Sequence, residues 1–407
     1  VSLGQGEERG RGPTPREFRV PPMEAVHYGP GAFASIGELS ARHTGRRAFA
    51  VISGSLVDTW IDQSLRDQLG GRLVGVYHRA KEHVPRACVL EAAEEARAVG
   101  ADLIISVGGG TAIDCAKAVT LCLAADIEAR EQFDDHRVRF TYPATLEIPE
   151  LPQQVIPHIA VPTTLSGAEH TELFGVTDEK RRAKDTFSHR KFVPRAVVLD
   201  PVVAAGTPEW LWAASGMRAV DHAVEGILSA KHMPFTDALG LEALALLTGN
   251  LRHSARNPDD VEARTNCMLG TWLSIFALTN VGIGLSHGLG RQLSAQFGIL
   301  HGLTSAIMLP EVMAFNAEQT RPQLRRIAAA MGADVGLCDD AEAAVQAVAT
   351  MRRFIESLGV PHTLSAVGAR REELDLVVEH AMSDPAVADN PRQVTRDQLL
   401  RMLQAAW

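Results

Sequence analysis

The chain has 407 residues, enough for two domains with separate cores, and 46% of them are hydrophobic. Its formal charge is −9, from 49 acidic and 40 basic side chains, which disfavours nucleic acid or an anionic membrane as the principal partner. Five cysteines (Cys88, Cys115, Cys122, Cys267, Cys338) form no close CxxC pair and read as reduced thiols of a cytoplasmic protein; no apolar run reaches membrane-spanning length.

Residues 1–22 are rich in glycine, arginine and proline with no apolar stretch, which predicts a disordered tail and no signal peptide. Ala25–Gly31 reads as a short strand and turn. Arg47–Ile52 is a buried strand closed by the turn Ser53-Gly54-Ser55, and Leu56, Trp60 and Leu65 mark the helix after it. A strand at 72–77, a helix at 88–99 and a strand at 102–107 continue the alternation. That order predicts a parallel sheet with helices on both faces, and ligands then bind at the carboxyl ends of the strands.

The last of these strands runs straight into Gly108-Gly109-Gly110-Thr111 and a helix carrying Asp114 and Lys117. Glycines permit a tight turn and close backbone approach, and the free N–H groups of the helix start favour a phosphate. A plain turn is the bland reading; the strand-before, helix-after context favours a nucleotide-diphosphate site. Residues 124–154 are polar, without a clear period, and read as a surface excursion. Val155–Val161 is a strand leading to Pro162-Thr163-Thr164-Leu165-Ser166-Gly167-Ala168-Glu169. Those hydroxyls form either a second wall of the cleft or the caps of a turn. Ala196–Leu199 is the final strand. Beyond Thr207 the period becomes 3.6 residues, over 208–230, 235–250, 258–281, 302–315, 321–331, 341–358 and 371–383. The expected fold is an α/β Rossmann-like parallel-sheet domain (23–205) followed by an all-α domain (206–407).

Three histidines stand out in the helical half. His222 lies on a helix, and His287 and His301 each precede a glycine, a sign of close helix or ligand approach. Each alone is more often a satisfied core or surface residue; as a set they have the chemistry to hold a divalent ion.

Together the motifs resemble the iron-containing (group III) alcohol dehydrogenase family over residues 24–407. They are Gly29-Pro30-Gly31, the Gly108–Lys117 segment, Pro162-Thr163-Thr164, Asp200-Pro201, Gly216-Met217…His222-Ala223-Val224-Glu225 and His287…His301-Gly302…Leu309-Pro310. The resemblance implies the dehydroquinate synthase-like two-domain fold with the active site in the cleft between the domains. It implies a dinucleotide held by Ser53, Gly108, Gly109, Gly110, Thr111, Asp114, Thr163, Thr164 and Ser166, with Lys184 nearby. The cofactor is NADP or NAD: Ser53 stands where many NAD-specific members carry an aspartate, so a 2′-phosphate is not repelled. A homodimer or larger homo-oligomer is implied as well.

Two departures bear on mechanism. The family's metal site joins three histidines, matched by His222, His287 and His301, to an aspartate one turn before the first, and that position is Arg218. Like charges at ~4 Å repel by roughly 4 kcal/mol at an effective dielectric of about 20, so a divalent ion is disfavoured. Asp221 is an unpromising substitute, since adjacent helical residues point about 100° apart. The family's further histidine, four residues after the second ligand, is Arg291 here. The maleylacetate reductase branch resembles this chain in lacking the acidic ligand and in the Pro162–Glu169 loop, and is regarded as metal-independent. The expectation is NAD(P)H-dependent, metal-independent reduction of an anionic oxo-acid carbonyl, with Arg218 and Arg291 binding the anion. One of His222, His287 or His301 would then supply the proton. The rivals are a metal-dependent alcohol or aldehyde dehydrogenase using the three histidines, a non-redox lyase or cyclase, and arginines that simply pair with Asp221 and Glu225.

Overall fold

A computed structural model describes residues 17–43, 46–141, 145–151, 154–181, 183–388 and 390–407. The first half holds a six-stranded parallel sheet: β1 (Ala25–Tyr28), β2 (Ala48–Ile52), β3 (Leu73–Tyr77), β4 (Leu103–Gly108), β7 (His158–Pro162) and β10 (Ala196–Leu199), in the order β1-β10-β7-β4-β2-β3. Two antiparallel hairpins interrupt it, β5–β6 (Arg139–Thr141, Thr145–Glu147) and β8–β9 (Leu173–Asp178, Ala183–Ser188). Alternation along the strands sorts the two faces. Phe49, Val51 and Ile104 pack against α3 (Arg86–Ala98) and α4 (Gly110–Ala124). Ala48, Ala50, Ile52, Leu103 and Ile105 pack against α1 (Ile36–Arg42) and α2 (Trp60–Leu69). The chain runs outward from β2 to β3 and then back across to β4, which makes β2/β4 the switch point where such sheets open a crevice.

After the short α5 (Pro201–Ala204) the rest is helical: α6 (Glu209–Leu228), α7 (Pro234–Arg256), α8 (Val261–Leu278), α9 (Leu285–Phe297), α10 (His301–Asn316), α11 (Arg321–Ala330), α12 (Asp340–Leu358), α13 (Leu374–Ala381), α14 (Pro385–Ala388) and α15 (Arg396–Ala405). α6 is buried almost all round from Trp212 to Leu228 and forms the axis of this half. Trp212 and Met217 share one core with Ala160 of β7 and with Val197 and Leu199 of β10. The helix therefore packs directly on the sheet.

Several expectations need correction. α9 and α15 are absent from the predicted helices, as is the β8–β9 hairpin from the predicted strands. Residues 1–16 of the predicted tail lie outside the described residues, but 17–22 are engaged with the protein. Phe18 meets Phe235 edge-on at 4.9 Å, and Arg19 exchanges hydrogen bonds with Asn280 at 2.6 and 3.1 Å.

One buried pair makes a stability prediction. The His158 ring sits 2.8 Å from Ser106 Oγ between β7 and β4, and burial pushes its pKa down to about 3. Below about pH 6.5 the unfolded chain takes up a proton that the folded one refuses, so this residue costs stability as pH falls toward 3. His158→Asn should lessen the loss of urea stability between about pH 7.5 and 5 by up to ~2 kcal/mol. An unchanged slope would show that His158 does not contribute to acid lability.

Candidate active site

The sheet side of the cleft is three loops in contact. Gly108 has φ +150°, and a Cβ there would lie 2.1 Å from Ser53 Oγ, so only glycine lets the β2 and β4 loops close on each other. Gly109 faces Thr164 and Gly110 faces Ser166 Oγ, which brings the hydroxyl loop after β7 onto the same turn. Gly109 is the N-cap of α4 and no side chain caps that end, leaving the first-turn N–H groups, Thr111 included, for an incoming anion. Ser53, Gly108, Gly109, Gly110, Thr111, Thr164 and Ser166 are thus brought together. Thr163 is alongside, its carbonyl accepting from Thr207 Oγ1 at 2.6 Å.

Asp114 is turned elsewhere: its Oδ2 accepts from the Gly175 amide of β8 at 3.3 Å, and burial raises its pKa. Lys184 of β9 lies against Gly175, and its charge opposes that rise. Sequence reasoning assigned no role to Lys117. It is fully buried and donates to the carbonyls of Ala168, Thr171 and Leu173 at 2.6, 2.6 and 3.1 Å, which braces the segment beyond the hydroxyl loop.

The helical side is built on α6, α9 and α10. Gly302 lets α10 press onto α6, since a Cβ there would stand 2.0 Å from the Ala214 carbonyl; His301 is seated by that contact. His222 and His287 stack with ring centroids 5.0 Å apart. Glu225 caps α9: Oε2 accepts from the Gly284 amide at 2.8 Å, and Oε1 from the amides of Ser286 and His287 at 2.6 and 3.3 Å. Its Oε2 also lies 2.6 Å from His287 Nδ1, out of line for a hydrogen bond. Burial raises Glu225 to about 7 and lowers His287 to about 3, so neither favours a charge. Burial also holds His222 and His301 well below the usual imidazole range.

Asp221 does reach this group, contrary to the helical-wheel expectation. Its Oδ2 accepts from Ser286 Oγ at 3.0 Å and Ser305 Oγ at 2.6 Å and lies 3.3 Å from His287 Nδ1; burial raises it to about 6. Arg218 donates to Ser305 Oγ at 3.3 Å and, among the described residues, has no carboxylate within 4.0 Å, so direct pairing with Asp221 or Glu225 is not what holds it. Both acids are near enough to oppose the burial that disfavours its charge. Arg291 requires the larger correction: its Nη2 is bound to Asp384 Oδ1 at 2.5 Å, so it is not an open anion receptor.

The metal arrangement of the resembling family does not fit these residues. A half-buried guanidinium stands in the carboxylate position, and among the described residues His222, His287 and His301 do not converge as ligands. Among the described residues, the metal-type groups whose ligand atoms come within 4.8 Å of one another are Asp221–Glu225–His287 and Asp134–Asp178–Asp185. In the first, Glu225 already accepts three amide hydrogens at the positive end of α9. In the second, Arg86 approaches all three acids, at 2.6, 3.3 and 2.7 Å.

A parallel-sheet half that ends in an uncapped glycine turn, joined to a helical half that carries basic and imidazole groups, is the two-part architecture of a family of oxidoreductases. Residues 23–201 match the iron-containing alcohol dehydrogenase family, and residues 212–407 match the C-terminal part of the same family. The chain is 30% identical over 391 residues to the lactaldehyde reductase of Escherichia coli (strain K12), covering 94% of this chain and 98% of that one. It is 30% identical over 342 residues to the maleylacetate reductase of Burkholderia cepacia, covering 83% of each. The solved alcohol dehydrogenase from Oenococcus oeni superposes with a TM-score of 0.88 at 26% identity, over 97% of this chain and all of that one. The chain belongs to the iron-containing alcohol dehydrogenase family and is an oxidoreductase.

Proposed function

We propose that this protein is an NAD(P)H-dependent reductase that works without a bound metal ion on a carbonyl compound carrying a carboxylate. The observation behind this is Arg218: a half-buried cation in the cleft, with one hydroxyl and no carboxylate in contact among the described residues, at the position where a metal-binding relative needs a carboxylate. When bound, the nicotinamide supplies the hydride. Its phosphates suit the α4 N-terminus and the turn formed by Ser53, Gly108–Gly110, Thr164 and Ser166. Ser53 brings no charge that would repel a 2′-phosphate, which supports NADP(H) alongside NAD(H).

The Arg218 guanidinium pairs with the substrate's carboxylate without changing its own protonation, and the negative charge that gathers on the carbonyl oxygen as the hydride arrives falls to the imidazoles beside it. Burial argues against any of the three histidines as a preformed acid. A neutral imidazole still donates an N–H hydrogen bond, and one of His222, His287 or His301 polarises the carbonyl in that form, the proton that completes the alcohol coming from solvent. The maleylacetate reductase relative, which by its name reduces a carboxylate-bearing compound, supports an anionic substrate. All five cysteines are free thiols, in keeping with a reducing cytoplasm. No helix among the described residues is long and apolar enough to cross a membrane.

Convergence of Asp221, Glu225 and His287 is the feature that favours a metal-dependent rival. A screen of oxo acids and simple aldehydes, following NADH and NADPH absorbance before and after chelation, separates the two. The expected result is oxo-acid reduction that survives chelation, with far less than one equivalent of iron or zinc per chain. Activity lost to the chelator and restored by metal would overturn the proposal, and failure to bind either nucleotide would favour a non-redox role.

A further inference from the structure

Arg291 and Asp384 form a matched pair at the edge of the cleft. Arg291 lies one turn beyond His287 on α9, hence on the same helix face. Its Nη2 is held by Asp384, while its Nε is buried without a partner. Asp384 is itself fixed: Oδ1 also accepts the Ala386 amide at 2.9 Å, and Oδ2 accepts Gln292 Nε2 at 3.3 Å. Only 6% of its side chain is exposed, against 34% for Arg291. Arg291, the Ala386 amide and Gln292 thus hold this carboxylate in place, whereas Arg218 has no acid in contact among the described residues.

We propose that Asp384 is a specificity-determining residue, which sets how many negative charges the substrate carries. It cancels the charge of Arg291 and leaves that guanidinium as a hydrogen-bond donor, through Nε. Of the two arginines, Arg218 is then the one whose charge no described carboxylate contacts, and the cleft prefers an oxo acid with one carboxylate over one with two. A second carboxylate arriving at Arg291 meets Asp384 and is repelled. This rests on the oxo-acid reading above and narrows it to monocarboxylates.

Asp384→Asn tests it, because asparagine keeps an oxygen to accept from Arg291 and Ala386 while removing the charge. The probes are 2-oxobutanoate, 2-oxoglutarate and butanal, with one, two and no carboxylates, each with saturating NADPH or NADH. In the variant, kcat/KM for 2-oxoglutarate should rise about tenfold relative to 2-oxobutanoate, with butanal unchanged, as removal of a near like charge requires. Equal changes for both acids, or a relative fall for 2-oxoglutarate, would overturn the inference. Arg291→Gln is the second arm, should Asp384→Asn fail to fold. It leaves Asp384 uncompensated, so use of 2-oxoglutarate should fall about tenfold further than use of 2-oxobutanoate; equal losses again overturn it. Wild-type protein that reduces butanal and neither acid would remove the oxo-acid reading, and this inference with it. Wild-type activity on the acids with no differential response in the variants would remove this inference alone.

Discussion

Arg218→Ala is expected to raise KM for a one-carboxylate oxo acid about thirtyfold, while KM for an uncharged aldehyde moves less than about threefold. The magnitude is that of one hydrogen bond to a charged group, ~2 kcal/mol. The asymmetry arises because the guanidinium is a permanent cation and the aldehyde offers it no ionic partner. Arg218→Lys restores a charge without the planar donor pair and should recover only part of the loss. Initial-rate kinetics on both substrates decides the matter. If acid and aldehyde suffer alike, Arg218 is holding α6, Ser305 and the acids around it in place and is not recognising an anion.

Gly108→Ala should weaken dinucleotide binding by about a hundredfold or more, read as loss of NADPH or NADH fluorescence enhancement on titration. Two costs combine. At φ +150° an alanine is strained, and its Cβ would fall 2.1 Å from Ser53 Oγ and 3.0 Å from both Ser53 Cβ and Ala112 Cβ. The β2 and β4 loops would have to part, and the α4 N-terminus would shift away from the phosphates by a distance that hydrogen bonds do not tolerate. The core strands lie below the turn, so circular dichroism should remain close to wild type. Near-normal nucleotide affinity in a folded variant would mean that the cofactor does not use this turn.

How much of this was legible follows the physics of each signal. Buried parallel strands announce themselves as apolar runs, and Ala48–Ile52, Leu103–Gly108 and Ala196–Leu199 fall within a residue of expectation. α9 escaped because Gly288 and Gly290 dilute its pattern; Leu285, Leu289 and Leu293, spaced four apart and all fully buried, were the signal available. The β8–β9 hairpin hides its period because Asp178 and Asp185 are buried beside Arg86 and so do not read as inward-facing. Arg218, and the three histidines as a set, are singled out through the family resemblance; spacing alone marks His222 and Arg218 only as neighbours one helical turn apart. The Arg291–Asp384 pair spans 93 residues, and nothing local to either end predicts it. Asp221 illustrates a further limit. A wheel argument compares directions from one helix axis, but α9 and α10 bring Ser286 and Ser305 around to meet it.

The core shared by Trp212 and Met217 with Ala160, Val197 and Leu199 has a bearing on how this enzyme can be altered. The strand that leads to the hydroxyl loop and the helix that carries Arg218 and His222 are packed through one continuous core, so a change in that layer reaches both. A scan of substitutions through β7 and β10 would therefore register as altered turnover as well as lowered yield. Exchange of the helical half for that of another family member would succeed only if those five positions travelled together.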